Sequence, residues 1–247
     1  MIGIIGGSGL EDPKLLANAK EVTIKTPFGV HAPIKTGEIN GTRVAILSRH
    51  GYDHEYMPST IPYQANIFAL TELGVKAIIA TSACGSLREE IAPGTLSFPN
   101  QFIDRTTKRE QSFSSEGNVL HESMAEPFSK ELRDILVKKT EELGFDFSAD
   151  TTLITVEGPR FSTKAESELF RSWNCDLINM TTVPEVCLAK EKKIAYQVVN
   201  LVTDYDCWRE GETAVTFELV LARVKTNAEK VKKLIIEVLS EVEKKAF

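Results

Sequence analysis

Residues 1–10 read MIGIIGGSGL, and the fold follows from how this run is read. A short apolar stretch of β-branched residues that runs into glycines predicts a buried strand entering a tight turn, the opening of many nucleotide-binding α/β folds. Runs of the same kind recur as RVAIL from Arg43, AIIATSA from Ala77, TLITV from Thr152 and IAYQVVNLV from Ile194. None alternates polar with apolar residues, so each predicts a strand buried on both faces.

Between these runs the periodicity is helical. IPYQANIFALTELG (61–74) places Tyr63, Ile67, Leu70 and Leu73 on one face and stops at Gly74. Further helices are predicted over 129–143, over 163–173 and in VPEVCLAKEKK (183–193), where an early proline and late lysines suit the helix dipole. From Thr216 onward Val220, Val224, Ala228, Val231, Ile235, Val238 and Val242 form one stripe, which predicts a long amphipathic helix with a solvated opposite face. Strands alternating with helices imply a single α/β domain over 1–247, with a central mixed, mostly parallel sheet flanked by helices. Residues 92–128 are polar and read as a long irregular loop of functional type.

Composition narrows the function. A chain of 247 residues, 42% hydrophobic, can bury a sizeable core. Its formal net charge of −6, without a long basic run, argues against nucleic acid as a partner. No membrane span and no basic-then-apolar leader is visible, so a cytoplasmic location is expected. Cys84, Cys175, Cys187 and Cys207 are scattered without C-x-x-C spacing. That pattern predicts neither zinc nor a disulfide framework, and buried thiols are the favoured reading; a bond from Cys175 to Cys187 or Cys207 stays open.

The glycine turn fails as a dinucleotide site. Asp12 stands where the third glycine of the fingerprint belongs, and the next strand-like run, VTIKT, carries no acid for ribose hydroxyls. No lysine follows at triphosphate-loop spacing either. Turn N–H groups with the Ser8 hydroxyl suit a small oxyanion such as phosphate, the alternative being a purely structural turn. Two other segments carry matching groups. Arg49 and His50 follow RVAIL and offer phosphate a planar fork and a ring donor, and in TSACGSLREE the small residues Ser82, Ala83 and Gly85 present backbone and hydroxyl groups just after an apolar run. In NLVTDYDCW, Asp204 and Asp206 lie two apart and in extended chain face one side, suited to a purine edge or simply to solvent.

Taken together, GGSGL, RHGYDH, YQANIFAL, ACGSLREE, QFIDRTTKR, MAEPF, VEGPRFSTKAES, INMTTVPEVCLAKE and TDYDCW resemble the purine nucleoside phosphorylase superfamily, and within it the methylthioadenosine phosphorylases. The resemblance spans residues 2–208 and continues more loosely through the last helix. It implies a homotrimer or dimer of trimers, small-molecule nucleoside and phosphate as ligands, and no metal or organic cofactor. The implied reaction is reversible phosphorolysis of methylthioadenosine in methionine and purine salvage, the alternative being methylthioinosine or purine nucleosides generally.

By the same resemblance Ser8, Arg49, His50, Ser82, the Ala83 backbone and Thr181 bind phosphate. Met180 lies against ribose, Phe161 and Ser162 lie at the base, and Asp204 and Asp206 read its N7 and amino edge, with Asp204 catalytic. Phe217 falls near the alkylthio group, His54 is a further substrate-binding residue, and His121 reaches the 5′ pocket of a neighbouring subunit. Such an Asp204 needs a raised pKa to hold the proton that N7 takes.

Overall fold

The computed structural model describes residues 1–6, 16–211, 215–245 and 247. Among them the strands are β1 (Ile2–Gly6), β2 (Ala17–Val22), β3 (Ile34–Ile39), β4 (Thr42–Ser48), β5 (Ala77–Ser86), β6 (Leu96–Arg105), β7 (Phe147–Val156), β8 (Leu177–Asn179) and β9 (Ala195–Asp204). They form one mixed sheet in the order β2-β3-β4-β1-β5-β8-β7-β6-β9, and β9 returns to pair with β5. That last pairing closes β5, β8, β7, β6 and β9 into a ring. The pairings β1–β4, β1–β5, β5–β9, β6–β7 and β7–β8 are parallel, while β2–β3, β3–β4, β5–β8 and β6–β9 are antiparallel.

Two helical layers cover the sheet, which explains its unbroken apolar strands. On one face α1 (Tyr63–Glu72) and α4 (Thr182–Glu191) pack on Ile5, Ile78 and Val198; on the other α2 (Lys130–Glu142) and α5 (Phe217–Lys244) pack on Ile4, Ile79 and Val199. Neighbouring residues thus point into opposite cores, and each fully buried Ile or Val contributes about 1.5–3 kcal/mol. A smaller cluster of Leu87, Ile154, Phe170, Cys175 and Ile178 sits under α3 (Lys164–Ser172). The predicted helix starts at 129, 163 and 216 are N-caps: the Ser129, Thr163 and Thr216 hydroxyls accept from the N–H groups of Leu132, Glu166 and Leu219.

Two sequence expectations are corrected, on residues 92–128 and on VTIKT. Residues 92–128 are not loop throughout, because β6 occupies their first part. LSFPNQFIDR hides its strand: the register shifts at Phe98, Pro99 and Gln101, so the proline sits in a bulge where no ladder N–H is demanded. β2 ends at Val22, so most of VTIKT lies outside any strand. All four cysteines are free thiols. Among the described residues no helix is long and apolar enough to cross a membrane.

Candidate active site

The site begins as a gap in the sheet. β1 pairs with β5 only as far as Ala80, and β8 joins that edge only at Gly85. Among the described residues, Thr81 to Cys84 therefore have no strand beside them on that edge, although β9 pairs along the other. A cavity of about 270 Å³ opens there. Ser82 and Ala83 line it from inside β5, not from a loop beyond it as the sequence suggested. From β8, Asn179 donates to the Ser82 hydroxyl at 3.1 Å, and the Thr181 hydroxyl lies 3.4 Å from it.

β4 delivers Arg49 and His50 to the same end. Arg49 is 1% exposed. Its Nε and Nη2 donate to the two carboxylate oxygens of Glu185 at 2.7 and 2.8 Å, and Nη1 donates to the Thr81 carbonyl at 2.9 Å. The Tyr196 hydroxyl donates to the same carboxylate at 2.7 Å. Burial works against the guanidinium charge, yet Glu185 outweighs it and raises the Arg49 pKa, so the side chain stays cationic.

His50 corrects an expectation. Burial, with help from the Arg49 and His54 charges, lowers its pKa to about 4 against the bond to Tyr56, so the ring is neutral at pH 7. Its Nδ1 lies 2.8 Å from the Tyr56 carbonyl, which can only accept, so the proton resides on Nδ1. The other ring nitrogen, Nε2, is then an acceptor and not the donor read from the sequence. The ring stacks on His54 with centroids 4.3 Å apart.

At the opposite end stand Asp204, last residue of β9, and Asp206. They meet by a turn and not by extended alternation: Asp206 has φ of 50°, and its N–H donates to Asp204 Oδ1 at 2.8 Å. The Thr203 hydroxyl donates to Asp204 Oδ2 at 2.7 Å. Burial is the main cause that raises both carboxyls; the Asp206 charge adds to it at Asp204, whereas hydrogen bonds from Thr203 and the Asp206 N–H oppose it. Gly85 makes room for this pair, since a Cβ there would lie 3.0 Å from Asp204 Oδ1.

The walls between the two ends bring the remaining residues together. Met180, Phe161, Ser162, His54 and Phe217 all line the cavity. Met180 presses so closely on the 157–162 loop that a Cβ on Gly158 would come within 2.5 Å of its sulfur, and Gly158 also has φ of 67°. The His54 and Phe217 rings lie 5.5 Å apart at the mouth. His121 is exposed and does not line the cavity. Ser8 lies outside the described residues.

Three features escaped the sequence reading. Glu185, 1% exposed, sits inside the apolar face of α4, and a lone acid within VPEVCL is the signal that announces a buried partner. Arg109, whose side chain is fully buried, ties the walls together. Its five N–H groups donate to Glu157 Oε1, the Val183 carbonyl, the Tyr63 hydroxyl and the carbonyls of Val156 and Glu157. Burial pushes the Glu157 carboxyl up, but N–H groups of Thr107 and Lys108, the Ser59 hydroxyl and Arg109 hold it down at about 2. Lastly, the α5 stripe divides: Val220, Val224 and Ala228 line the cavity, whereas Ile235, Val238 and Val242 enter the core.

The family described as Phosphorylase superfamily matches residues 1–240. S-methyl-5′-thioadenosine phosphorylase of Drosophila pseudoobscura pseudoobscura is 47% identical over 249 residues, covering 98% of this chain and 86% of the relative. Methylthioadenosine phosphorylase of Schistosoma mansoni, solved with adenine, superposes with a TM-score of 0.94 at 35% identity, over 99% of this chain and 92% of that one. A variant of the adenosine/methylthioadenosine phosphorylase of the same organism, solved with methylthioadenosine, gives 0.93 at 34% identity, with the same coverage of 99% and 92%.

Proposed function

The chain belongs to the phosphorylase superfamily, and from that premise we propose that it cleaves the N-glycosidic bond of S-methyl-5′-thioadenosine with phosphate, reversibly, giving adenine and 5-methylthioribose 1-phosphate. One observation carries this reading: a single cavity holds a pair of aspartates, Asp206 buried and Asp204 half-buried, at one end and a guanidinium with converging hydroxyls at the other, joined by an apolar wall. Phosphate oxygen forms a bond to the anomeric carbon as the carbon–nitrogen bond breaks. The bonding pair leaves with the purine, and Asp204 supplies the proton that N7 takes.

Each end answers one charge of the transition state. The raised Asp204 carboxyl neutralises the leaving base, and Asp206 accepts from the 6-amino group. Arg49, Ser82, Thr181, the Ala83 backbone and Ser8 donate to phosphate. His50 Nε2 accepts from a protonated phosphate oxygen. Met180 underlies the ribose, Phe161 and Ser162 flank the base, and His54, Phe217 and the first turns of α5 receive the methylthio group. Phosphate is the co-substrate, and the chemistry asks for no metal or organic cofactor. A homotrimer, or a dimer of trimers, supplies His121 to the 5′ side of a neighbouring site. We place the reaction in the cytoplasm, without nucleic-acid or membrane partners.

The test is phosphate-dependent release of base from methylthioadenosine, adenosine, methylthioinosine and inosine, side by side. The 6-amino substrates should outrank the 6-oxo ones, because a 6-oxo purine offers Asp206 an acceptor where it needs a donor. Asp204→Asn should cut kcat on 6-amino substrates by roughly 10²–10⁴. Preference for inosine would move the reading to 6-oxopurine nucleosides, base release without phosphate would make the protein a hydrolase, and near-normal turnover in the variant would remove Asp204 from catalysis.

A further inference from the structure

Arg49 is the only Lys or Arg side chain among the described residues that line the cavity. Its charge is already matched. Glu185 takes it through two bonds, with both side chains 2% exposed. Tyr196 fixes the carboxylate from the other side. Of five guanidinium N–H groups three are committed, to Glu185 and to the Thr81 carbonyl, and two remain for a ligand among the described residues. His50 adds no charge at pH 7.

We propose that Glu185 is a positioning residue for phosphorolysis that cancels the charge of Arg49, so that bound phosphate keeps its own negative charge and turns it on the sugar. This rests on the phosphorolysis reading above. A site lined by unopposed cations binds a phosphate dianion tightly in the ground state, but it quenches the oxyanion that must face the cationic ribose as the glycosidic bond breaks. Such binding lowers KM without raising kcat. A guanidinium cancelled by Glu185 still aims two hydrogen bonds and leaves the field of the anion intact, where preorganised electrostatics act on the transition state. The hydroxyls of Ser82 and Thr181, both neutral, complete a phosphate end built from dipoles.

The proposal predicts a split between constants that a merely structural role does not give. Glu185→Gln, nearly isosteric, leaves Arg49 with an unopposed charge. Its phosphate KM should stay level or fall, while kcat falls at least about tenfold. Glu185→Asp restores the charge and should recover most of that loss. A Glu185→Gln enzyme with kcat unchanged and phosphate KM raised tenfold overturns the idea, as does Glu185→Asp behaving like Glu185→Gln. If Glu185→Gln does not fold, the wild-type enzyme decides: raising KCl from 50 to 300 mM should change phosphate KM by less than about twofold, and a steep rise overturns the proposal. Release of adenine from methylthioadenosine by the wild-type protein, measured with and without phosphate beforehand, separates failure of the proposal from failure of the reading beneath it.

Discussion

Arg49 and Arg109 are both arginines buried against carboxylates, and they use their donors differently. Arg109 spends all five N–H groups on the protein, joining the end of β7 and the loop after it to the start of α4 at Val183 and to α1. Arg49 spends three and faces the cavity. A saturated guanidinium is a brace. One with donors left over, pointing into a pocket, is a ligand group whose orientation the protein has fixed in advance. Counting unspent donors therefore separates two residues that burial and charge alone make look alike.

Substitutions can break that distinction. The largest effect is expected on activity from Arg49→Met: kcat/KM should fall by roughly 10³, measured as phosphate-dependent adenine release, because an aimed donor to phosphate is lost. Stability should drop as well, since Glu185 is left buried without its partner, and Arg49→Met/Glu185→Gln should recover the melting temperature but not the activity. Next comes Arg109→Met, where the emphasis reverses. Five acceptors lose their donor, so stability should fall by about 3–5 kcal/mol, on the order of 10 °C in Tm for a chain of this size. Turnover per folded molecule should fall less than about tenfold. If Arg109→Met loses as much kcat/KM as Arg49→Met while remaining folded, the division between brace and ligand group collapses.

Two pH effects sharpen the picture further. The depressed His50 pKa means that the unfolded chain takes up a proton before the native ring does. Stability is thus fully present above the ordinary histidine value near 6.5 and is lost as pH falls towards about 4. After allowance for partial exposure that loss is on the order of 2 kcal/mol, seen in denaturant titrations of wild type against His50→Asn. Because the Arg49 charge contributes to that depression, Arg49→Met should narrow the difference. The smallest effect belongs to Asp204, whose carboxyl is raised by burial. The native state gives up stability as that group ionises, so Asp204→Asn should gain in Tm at pH 7, and the gain should vanish below the ordinary aspartate value near 4. A gain that persists in acid would locate its origin outside ionisation.

Much of this was legible in the sequence where physics acts locally. β1, β4, β5, β7 and β9 announce themselves because strands buried on both faces need unbroken apolar runs, and helix starts show in Ser129, Thr163 and Thr216 because an N-cap favours a short side chain whose oxygen accepts from the first free N–H groups. β6 was hidden because its pairing is made across a bulge at Pro99, and long-range register leaves no local trace. Most cavity residues were recognisable as small, cationic or acidic groups near strand ends. Their arrangement was not: that β5 continues through Ser82 beside a gap, that Asp206 turns back on Asp204, and that His50 offers an acceptor all depend on partners distant in the chain. Arg109 and Glu185 had no periodic signature, being polar groups whose value lies in what they touch across the fold.

The division of α5 carries a last consequence. Its core contacts begin with the partly buried Val224 and become full only from Val231, so about 10 Å of helix from Phe217 onward stands clear of the anchorage and forms a wall of the cavity. Mechanically it is a cantilever, clamped in the core at one end and facing the cavity at the other. Slippage or softening at the clamp is magnified towards the tip, so substitutions at Leu234 or Val238 should change the width of the cavity that this helix walls.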